Sequence, residues 1–271
     1  MQSKTNTEVI GITSGKGGVG KTTFASNLSV ALTKAGKNVM ILDADLGLAN
    51  VQISLGCQAK FNLSHVIAGE KKLKEIIVTS KQGIKLVPGA SGVSEMASIS
   101  PAISAGIVHA FSELEDEVDY LIVDTAAGIA PSVLSFMSAC QKRFVIVKDE
   151  PSSIADAYGI IKVMTTDLNL DEIYLIPNMV ESQNAGLKLF KKVNEVCNRF
   201  LDISLLYHTS IEEDELILKS LKRYESILDF APGSSGSRDF RRLSELIMNQ
   251  PSIYQPSGGM QFFMERLIKQ N

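Results

Sequence analysis

The chain has 271 residues, of which 45% are hydrophobic, and its formal net charge at pH 7 is −3. This length suits one large α/β domain or two small ones, and the apolar fraction supports a sizeable core. The slightly negative charge excludes a global basic field of the kind that attracts nucleic acid. No apolar run approaches the ~20 residues of a membrane span, and the first nine residues lack an apolar signal region, so we expect a cytoplasmic protein.

The cysteines and histidines lie far apart in the sequence. Cys57, Cys140 and Cys197 show no C-x-x-C spacing and are typical of small core residues in a reducing compartment. The three histidines form no group with the spacing of metal ligands, so the sequence does not indicate a structural metal site.

The residues from Gly15 to Thr22 have the pattern G-x-x-x-x-G-K-T of a phosphate-binding P-loop. A strand predicted over residues 8–13 precedes them, and a helix predicted over about 22–35 follows. Glycines let the backbone wrap a phosphate chain with its N–H groups turned inward. We expect Lys21 to reach the β- and γ-phosphates and Thr22 to ligate Mg²⁺ at the positive end of the helix. A glycine-rich turn with exposed lysines is the alternative, which the strand–helix context disfavours.

Two carboxylates, Asp43 and Asp45, follow the next predicted strand, which covers residues 39–42. The carboxyl end of a parallel strand is where α/β folds bind ligands, and strand alternation would put both side chains on the same side. Such a pair beside a P-loop can hold Mg²⁺ through water and orient an attacking water. A solvated loop with an Asp cap is the alternative.

A second strong signal is the apolar strand over residues 120–123, which ends in Asp124 and continues into small residues and Gly128. This arrangement resembles a Walker B segment followed by a switch loop. We expect Asp124 to hold Mg²⁺ through water and Gly128 to bring a backbone N–H near the γ-phosphate. A buried strand with an ordinary polar end is the alternative, but the P-loop predicts such a strand downstream.

The remaining elements alternate between strands and helices, which predicts an α/β fold with a mostly parallel sheet of about seven to eight strands covered on both faces. Asn178 follows one of these strands, where an amide could read a base edge or simply form a turn. Predicted strands cover residues 84–88, 143–148, 172–177 and 202–206. Predicted helices cover residues 62–67, 101–114, about 152–166 with Ser152 or Ser153 as cap, and 186–200 with an inward face that includes Val196.

The composition changes after residue 230. A flexible loop is predicted over residues 232–237, a helix over 240–248 and a linker over 251–259. The chain then ends in an amphipathic stripe at helical spacing, which needs a surface because about twelve residues are marginal as a free helix. That surface is the protein's own body, a partner or a membrane interface. The stripe consists of Met260, Phe263, Met264, Leu267 and Ile268.

A second lysine in the P-loop, Lys16, gives it a form that resembles the deviant Walker A motif of the MinD/ParA (SIMIBI) ATPases. The resemblance covers residues 8 to about 230 and implies an ATP- and Mg²⁺-dependent sandwich homodimer. It implies that Lys16 reaches the partner's phosphates, that Asp45 orients the hydrolytic water, and that Asn178 reads adenine. The implied nucleotide-binding loop is Gly15, Lys16, Gly17, Gly18, Val19, Gly20, Lys21, Thr22 and Thr23, with Mg²⁺ served by Thr22, Asp43, Asp45 and Asp124.

Within that family, four segments look like the FlhG/FleN branch that controls flagellar number: residues 43–50, 124–129, 149–158 and 199–202. The tail from residue 261 to residue 267 looks like the C-terminal helix of that branch. The resemblance implies an FlhF GTPase, a FleQ/FlrA-type transcription activator, flagellar switch proteins and the inner membrane as partners, with peripheral membrane association in the ATP-bound state. One departure is clear: where the family has G-x-I-P-x-D, this chain has Thr-Ser-Ile-Glu-Glu-Asp at residues 209–214.

The resemblance divides the chain into a MinD-like ATPase domain at residues 1–230, a helix and linker at 231–258 and an amphipathic helix at 259–271. Division-site placement of the MinD type is an alternative function. A ParA-like DNA-partitioning ATPase is another, disfavoured by the negative charge and the hydrophobic tail. An iron–sulfur carrier ATPase is a further one, disfavoured by the lack of paired cysteines.

Overall fold

The computed structural model describes residues 7–47, 49–90, 99–114, 118–250 and 261–263. The strands are β1 (Glu8–Thr13), β2 (Val39–Ala44), β3 (Val78–Thr79), β4 (Lys85–Val87), β5 (Tyr120–Thr125), β6 (Lys142–Val147), β7 (Ile173–Val180) and β8 (Ile211–Glu212). They form one sheet in the order β3-β4-β2-β5-β1-β6-β7-β8, in which only the β3–β4 pair is antiparallel. The predicted mostly parallel sheet is confirmed.

Helices cover both faces of the sheet. They are α1 (Lys21–Lys34), α2 (Val51–Ser54), α3 (Leu63–Ile67), α4 (Leu73–Ile76), α5 (Pro101–Ala110), α6 (Pro131–Ser138), α7 (Pro151–Lys162), α8 (Gln183–Leu201), α9 (Glu215–Leu221), α10 (Ile227–Phe230) and α11 (Ser235–Asn249). Every residue of β1, β2, β5 and β6 is buried, because helices shield both sides of a parallel sheet. Among the described residues, no helix combines the length and apolar character needed to cross a lipid bilayer.

Four local predictions are wrong, two of them beside α7 and α8. Residues 202–206 form no regular strand: Asp202 ends α8 in the left-handed conformation (φ 56°), and only Leu206 bridges to Tyr174 of β7. The cap of α7 is Glu150 with Pro151 in the first turn, because the Ser153 hydroxyl instead accepts the backbone N–H of Lys148.

The serine-rich segment predicted as a loop over residues 232–237 contains the start of α11. The Ser234 hydroxyl accepts the backbone N–H of Ser237, so these small residues act as a helix cap rather than as a linker. On α8, Val196 is exposed (38%), whereas Leu189, Val193 and Cys197 are buried as predicted.

The C-terminal helix α11 belongs to the same apolar core as α1, since Phe240, Leu243 and Ile247 are buried within it. Just after α11, the carbonyl of Gln250 accepts a hydrogen bond from Lys142, the buried first residue of β6. The Lys142 ammonium also pairs with the Glu8 carboxylate at 2.7 Å. This end of α11 is therefore tied to the middle of the sheet.

Candidate functional site

The P-loop connects the carboxyl end of β1 to α1, and α7 approaches its first glycine closely. A Cβ at Gly15 would lie 2.1 Å from the backbone of Asp156, so α7 packs directly on the start of the loop. Gly20 caps α1 in the left-handed conformation (φ 90°), and no side chain caps the first turn. A helix N-terminus without a side-chain cap has free backbone N–H groups that can bind an anion.

Lys21 is buried at the start of α1, and its ammonium donates to the Ser14 hydroxyl at 3.0 Å. Burial lowers the pKa of Lys21, while the nearby Asp124 and Asp45 act in the opposite direction. The Ser14 hydroxyl in turn donates to the carbonyl of Lys16 at 2.7 Å. Ser14 was not among the predicted site residues, although its place directly before the first P-loop glycine was the available signal.

Lys16 bends back onto its own chain in this structure. Its ammonium donates to the Ser152 hydroxyl at 2.8 Å and lies 3.6 Å from the Glu150 carboxylate. Glu150 also pairs with Lys148 at 2.8 Å. The side chain of Lys16 is 41% exposed, so these contacts hold it only at the surface.

Asp43, near the end of β2, and Asp45, just after it, have different surroundings. The Asp43 carboxylate is buried and accepts the backbone N–H of Val51 at 2.9 Å and, more weakly, that of Asp45 at 3.3 Å. Burial and the neighbouring Asp124 raise the pKa of Asp43. These contacts make Asp43 a support for the loop that carries Asp45, which is itself half-buried.

Asp124 is the most notable carboxylate of the site. It is 1% exposed, and neither of its oxygens accepts a hydrogen bond of ordinary geometry within the described residues. Burial raises its pKa, an effect partly offset by the Thr22 hydroxyl and the Lys21 cation. Unpartnered buried carboxylate oxygens beside a threonine hydroxyl suit Mg²⁺, which prefers oxygen ligands and retains several waters. Within the described residues, no preformed group of three acidic, histidine or cysteine side chains surrounds this point.

Gly128 lies in the loop after β5, where its φ of 90° favours glycine. Its backbone N–H donates to the carbonyl of Ser14 at 2.8 Å, rather than pointing freely toward the P-loop. Ser14 thus contacts both the P-loop lysine and the predicted switch loop.

Asn178 lies on the opposite side of β1 from the carboxylates. It is buried (5% exposed), and its side-chain amide donates to the carbonyl of Val19 in the P-loop at 2.7 Å. The chain bulges here, since Met179 has a φ of 56° and the β7–β8 register shifts between Asn178 and Val180. The structure therefore brings Asn178 to the P-loop, while its contact with adenine remains a prediction.

The tail is described only at residues 261–263, where it forms a turn rather than a helix. Phe263 is buried and packs edge-on against Phe111 at 5.8 Å between ring centroids. Phe262, which was outside the predicted stripe, is also buried and packs edge-on against Phe111 at 5.0 Å. The other predicted stripe residues, Met260, Met264, Leu267 and Ile268, lie outside the described residues.

Comparisons with known proteins identify the family of the chain. A family model described as ParA, NUBPL iron-transfer P-loop NTPase, matches residues 5–247. The chain is 41% identical to the antiactivator FleN of Pseudomonas aeruginosa over 269 residues, covering 99% of this chain and 96% of that protein. It is 34% identical over 279 residues to the flagellum site-determining protein YlxH of Helicobacter pylori, covering 99% and 92%.

Among solved structures, the septum site-determining protein MinD from Pyrococcus horikoshii, complexed with Mg-ADP, superposes with a TM-score of 0.75. It is 27% identical and covers 89% of this chain and 95% of its own. The matching family model spans most of the chain, and the sheet fold agrees with that of the solved MinD structure. The chain therefore belongs to the MinD/ParA family of P-loop NTPases.

Proposed function

We propose that this protein is an ATP-dependent, dimerising switch ATPase that controls flagellar number. The observation that carries the proposal is the similarity to FleN and YlxH over nearly the full length of both proteins. The printed name of YlxH refers to the flagellum, and the name of FleN refers to antiactivation.

The site residues divide the chemistry among them. Lys21 and the N–H groups of the loop bind the phosphates, and Asp45 orients the attacking water. Thr22 and Asp124 would hold Mg²⁺, which neutralises phosphate charge when bound. Lys16 leaves Ser152 to reach the phosphates of a second copy, so hydrolysis depends on dimerisation and is slow without a partner protein.

The proposed partners follow from the same branch of the family. They are an FlhF GTPase, a FleQ/FlrA-type transcription activator, flagellar switch proteins and the inner membrane surface, reached through the tail. The name antiactivator, given to FleN, fits inhibition of a transcription activator. We propose a cytoplasmic protein whose ATP-bound dimer associates peripherally with the membrane, and no direct contact with nucleic acid.

Two other functions are weaker. Division-site placement draws on the likeness to MinD proteins, which match a smaller share of this chain than the flagellar relatives do. Iron transfer appears in the description of the family model, but Cys140 and Cys197 are buried apart from each other and Cys57 is half-buried. Within the described residues, these cysteines form no metal-binding group.

A deletion strain tests the proposal. We expect extra flagella per cell with division unchanged, corrected by the wild-type chain but not by Lys21→Ala. The matched control is Lys162→Ala, which removes an exposed lysine on α7. Normal flagellar number with misplaced septa would support the MinD-type function instead.

A further inference from the structure

The nucleoside end of a bound nucleotide must lie on the side of β1 that carries β7 and β8. Asp43 and Asp124 come from β2 and β5, which lie on the other side of β1 in the sheet. Because these carboxylates mark the Mg²⁺ and γ-phosphate end, the nucleoside extends away from them. Asn178 of β7 contacts the P-loop on this side and is paired in register with Ile211 of β8.

The side chain of Gln183, at the start of α8, binds the segment from Thr209 to Asp214, which contains β8. The Gln183 amide accepts the backbone N–H of Ser210 at 3.3 Å and donates to the carbonyl of the same residue at 3.0 Å. It also accepts the Thr209 hydroxyl at 3.0 Å. Gln183 thus binds this segment much as a neighbouring strand would.

A carboxylate of α11 completes the support. Asp239 is 3% exposed, and one of its oxygens accepts the backbone N–H of Glu212 at 2.9 Å. Its other oxygen accepts the side-chain amide of Gln183 at 2.9 Å. Glu212 stands where the family pattern has proline, and proline has no N–H to donate. The departure from the pattern therefore supplies the donor that Asp239 binds.

Asp214 fastens the far end of the same segment. Its carboxylate accepts the backbone N–H of Leu216 at 2.9 Å, which caps α9. The other oxygen accepts the backbone N–H of Gly236 at 3.0 Å, in the first turn of α11. The segment is therefore fixed to α11 at two points.

We infer that Asp239 and Gln183 are positioning residues for the nucleoside end of the nucleotide, acting through the backbone of residues 209–212. The inference rests on the proposed ATP binding. The phosphate end is held by the P-loop and does not depend on these two side chains. Their loss should therefore weaken binding of ATP but not of a ligand that has phosphates only.

The test measures dissociation constants for Mg-ATP and for Mg-tripolyphosphate by calorimetry on the full chain. Asp239→Asn keeps the side chain's shape but turns an N–H toward either Glu212 or Gln183, leaving one buried donor without an acceptor. We expect about tenfold weaker ATP binding and unchanged tripolyphosphate binding. Gln183→Ala, at a half-buried position, should have the same selective effect. Glu245→Gln, on the exposed face of α11, is the control with an equal change of charge.

Equal losses for ATP and tripolyphosphate, or no loss in either Asp239→Asn or Gln183→Ala, would overturn the inference. Failure of the wild-type chain to bind ATP would instead refute the proposed function.

Discussion

The ammonium of Lys16 donates to the hydroxyl of Ser152 in the same chain, at 2.8 Å. Lys16 cannot keep this contact and also reach the phosphates of a second copy. Since the pair is exposed, breaking it requires little free energy, and bound phosphate in the partner would offset that loss. The contact therefore gives Lys16 a resting position in the monomer.

Replacing Lys16 should separate nucleotide binding from dimerisation. Lys16→Ala keeps Lys21 and the backbone of the loop, so ATP affinity should stay close to that of the wild type. The variant should remain monomeric with ATP and Mg²⁺ in sedimentation velocity, and its ATPase activity should be lost. Lys162→Ala serves as the control. Normal ATP-dependent dimerisation of Lys16→Ala would rule out a role for this lysine across the dimer.

Asp45→Ala should bind ATP and dimerise but hydrolyse slowly. Without the carboxylate that orients the attacking water, we expect the ATP hydrolysis rate to fall by roughly 100-fold or more. The variant should accumulate as a dimer in ATP, visible as a stable larger species by sedimentation. Asp167→Ala, an exposed substitution after α7, is the control. Turnover by Asp45→Ala at the wild-type rate would show that this residue does not position the water.

Most of the candidate site was predictable because its residues belong to a short motif or stand at the ends of apolar strands. Strand β1 was predicted with its observed bounds, Lys21 came from the P-loop pattern, and Asp43 and Asp124 came from the ends of two apolar strands. Ser14 was not predicted because it stands outside the P-loop pattern, and only the folded loop brings its hydroxyl to the Lys21 ammonium. Residues 202–206 were wrongly predicted as a strand because alternating apolar residues do not reveal that Asp202 turns the chain at the end of α8.

Ser14 should matter for nucleotide affinity although it belongs to no motif. Ser14→Ala removes the hydroxyl that accepts the Lys21 ammonium and supports the carbonyl of Lys16. A hydrogen bond to a charged group contributes about 1.5–3 kcal/mol, so ATP binding should weaken by about tenfold or more. Ser135→Ala, which removes an exposed hydroxyl hydrogen bond within α6, is the control in the same titration. An unchanged dissociation constant would show that Lys21 needs no support from Ser14.

The buried His208 should make the free energy of unfolding depend on pH. Burial, with a contribution from the Lys142 cation, lowers the pKa of His208 to about 4, and its ring stacks on Tyr174 at 4.5 Å. At this residue the unfolded chain therefore binds more protons than the folded one between about pH 6.5 and 4, so the contribution of His208 to stability falls as the pH drops through that window. The raised pKa values of the buried Asp43 and Asp124 act in the opposite direction.

The measurement is the melting temperature at pH 7 and pH 5. His208→Phe keeps the aromatic stack and removes the proton site, so the melting temperature at pH 5 should rise relative to that at pH 7. The exposed His109→Phe should leave it unchanged. If the melting temperatures at pH 7 and pH 5 differ equally in the wild type and in His208→Phe, groups other than His208 cause the pH dependence.

The tail should exchange its site on the body for a lipid surface when ATP drives dimerisation. The site on the body is the contact of the buried Phe263 with Phe111. This contact covers an apolar side chain that would promote aggregation if it were exposed to water. Asp45→Ala protein with ATP should co-sediment with anionic vesicles, and it should do so better than nucleotide-free protein because two tails act together.

Phe263→Glu distinguishes the two roles of the tail. If the tail binds lipid, this substitution in the Asp45→Ala background should abolish co-sedimentation. If it only completes the core, lipid binding will be unchanged and the melting temperature will fall. Phe200→Glu, at an exposed phenylalanine of α8, controls for the added charge.

The contact between Lys142 and Gln250 limits how far the tail could move if it left Phe111. Ten residues separate Gln250 from Gln261, so covalent geometry keeps Gln261 within about 36–40 Å of Gln250. A segment confined to such a radius experiences an effective concentration in the millimolar range at its own docking site. Return of the tail to Phe111 would then be a first-order event, independent of how much protein the cell contains.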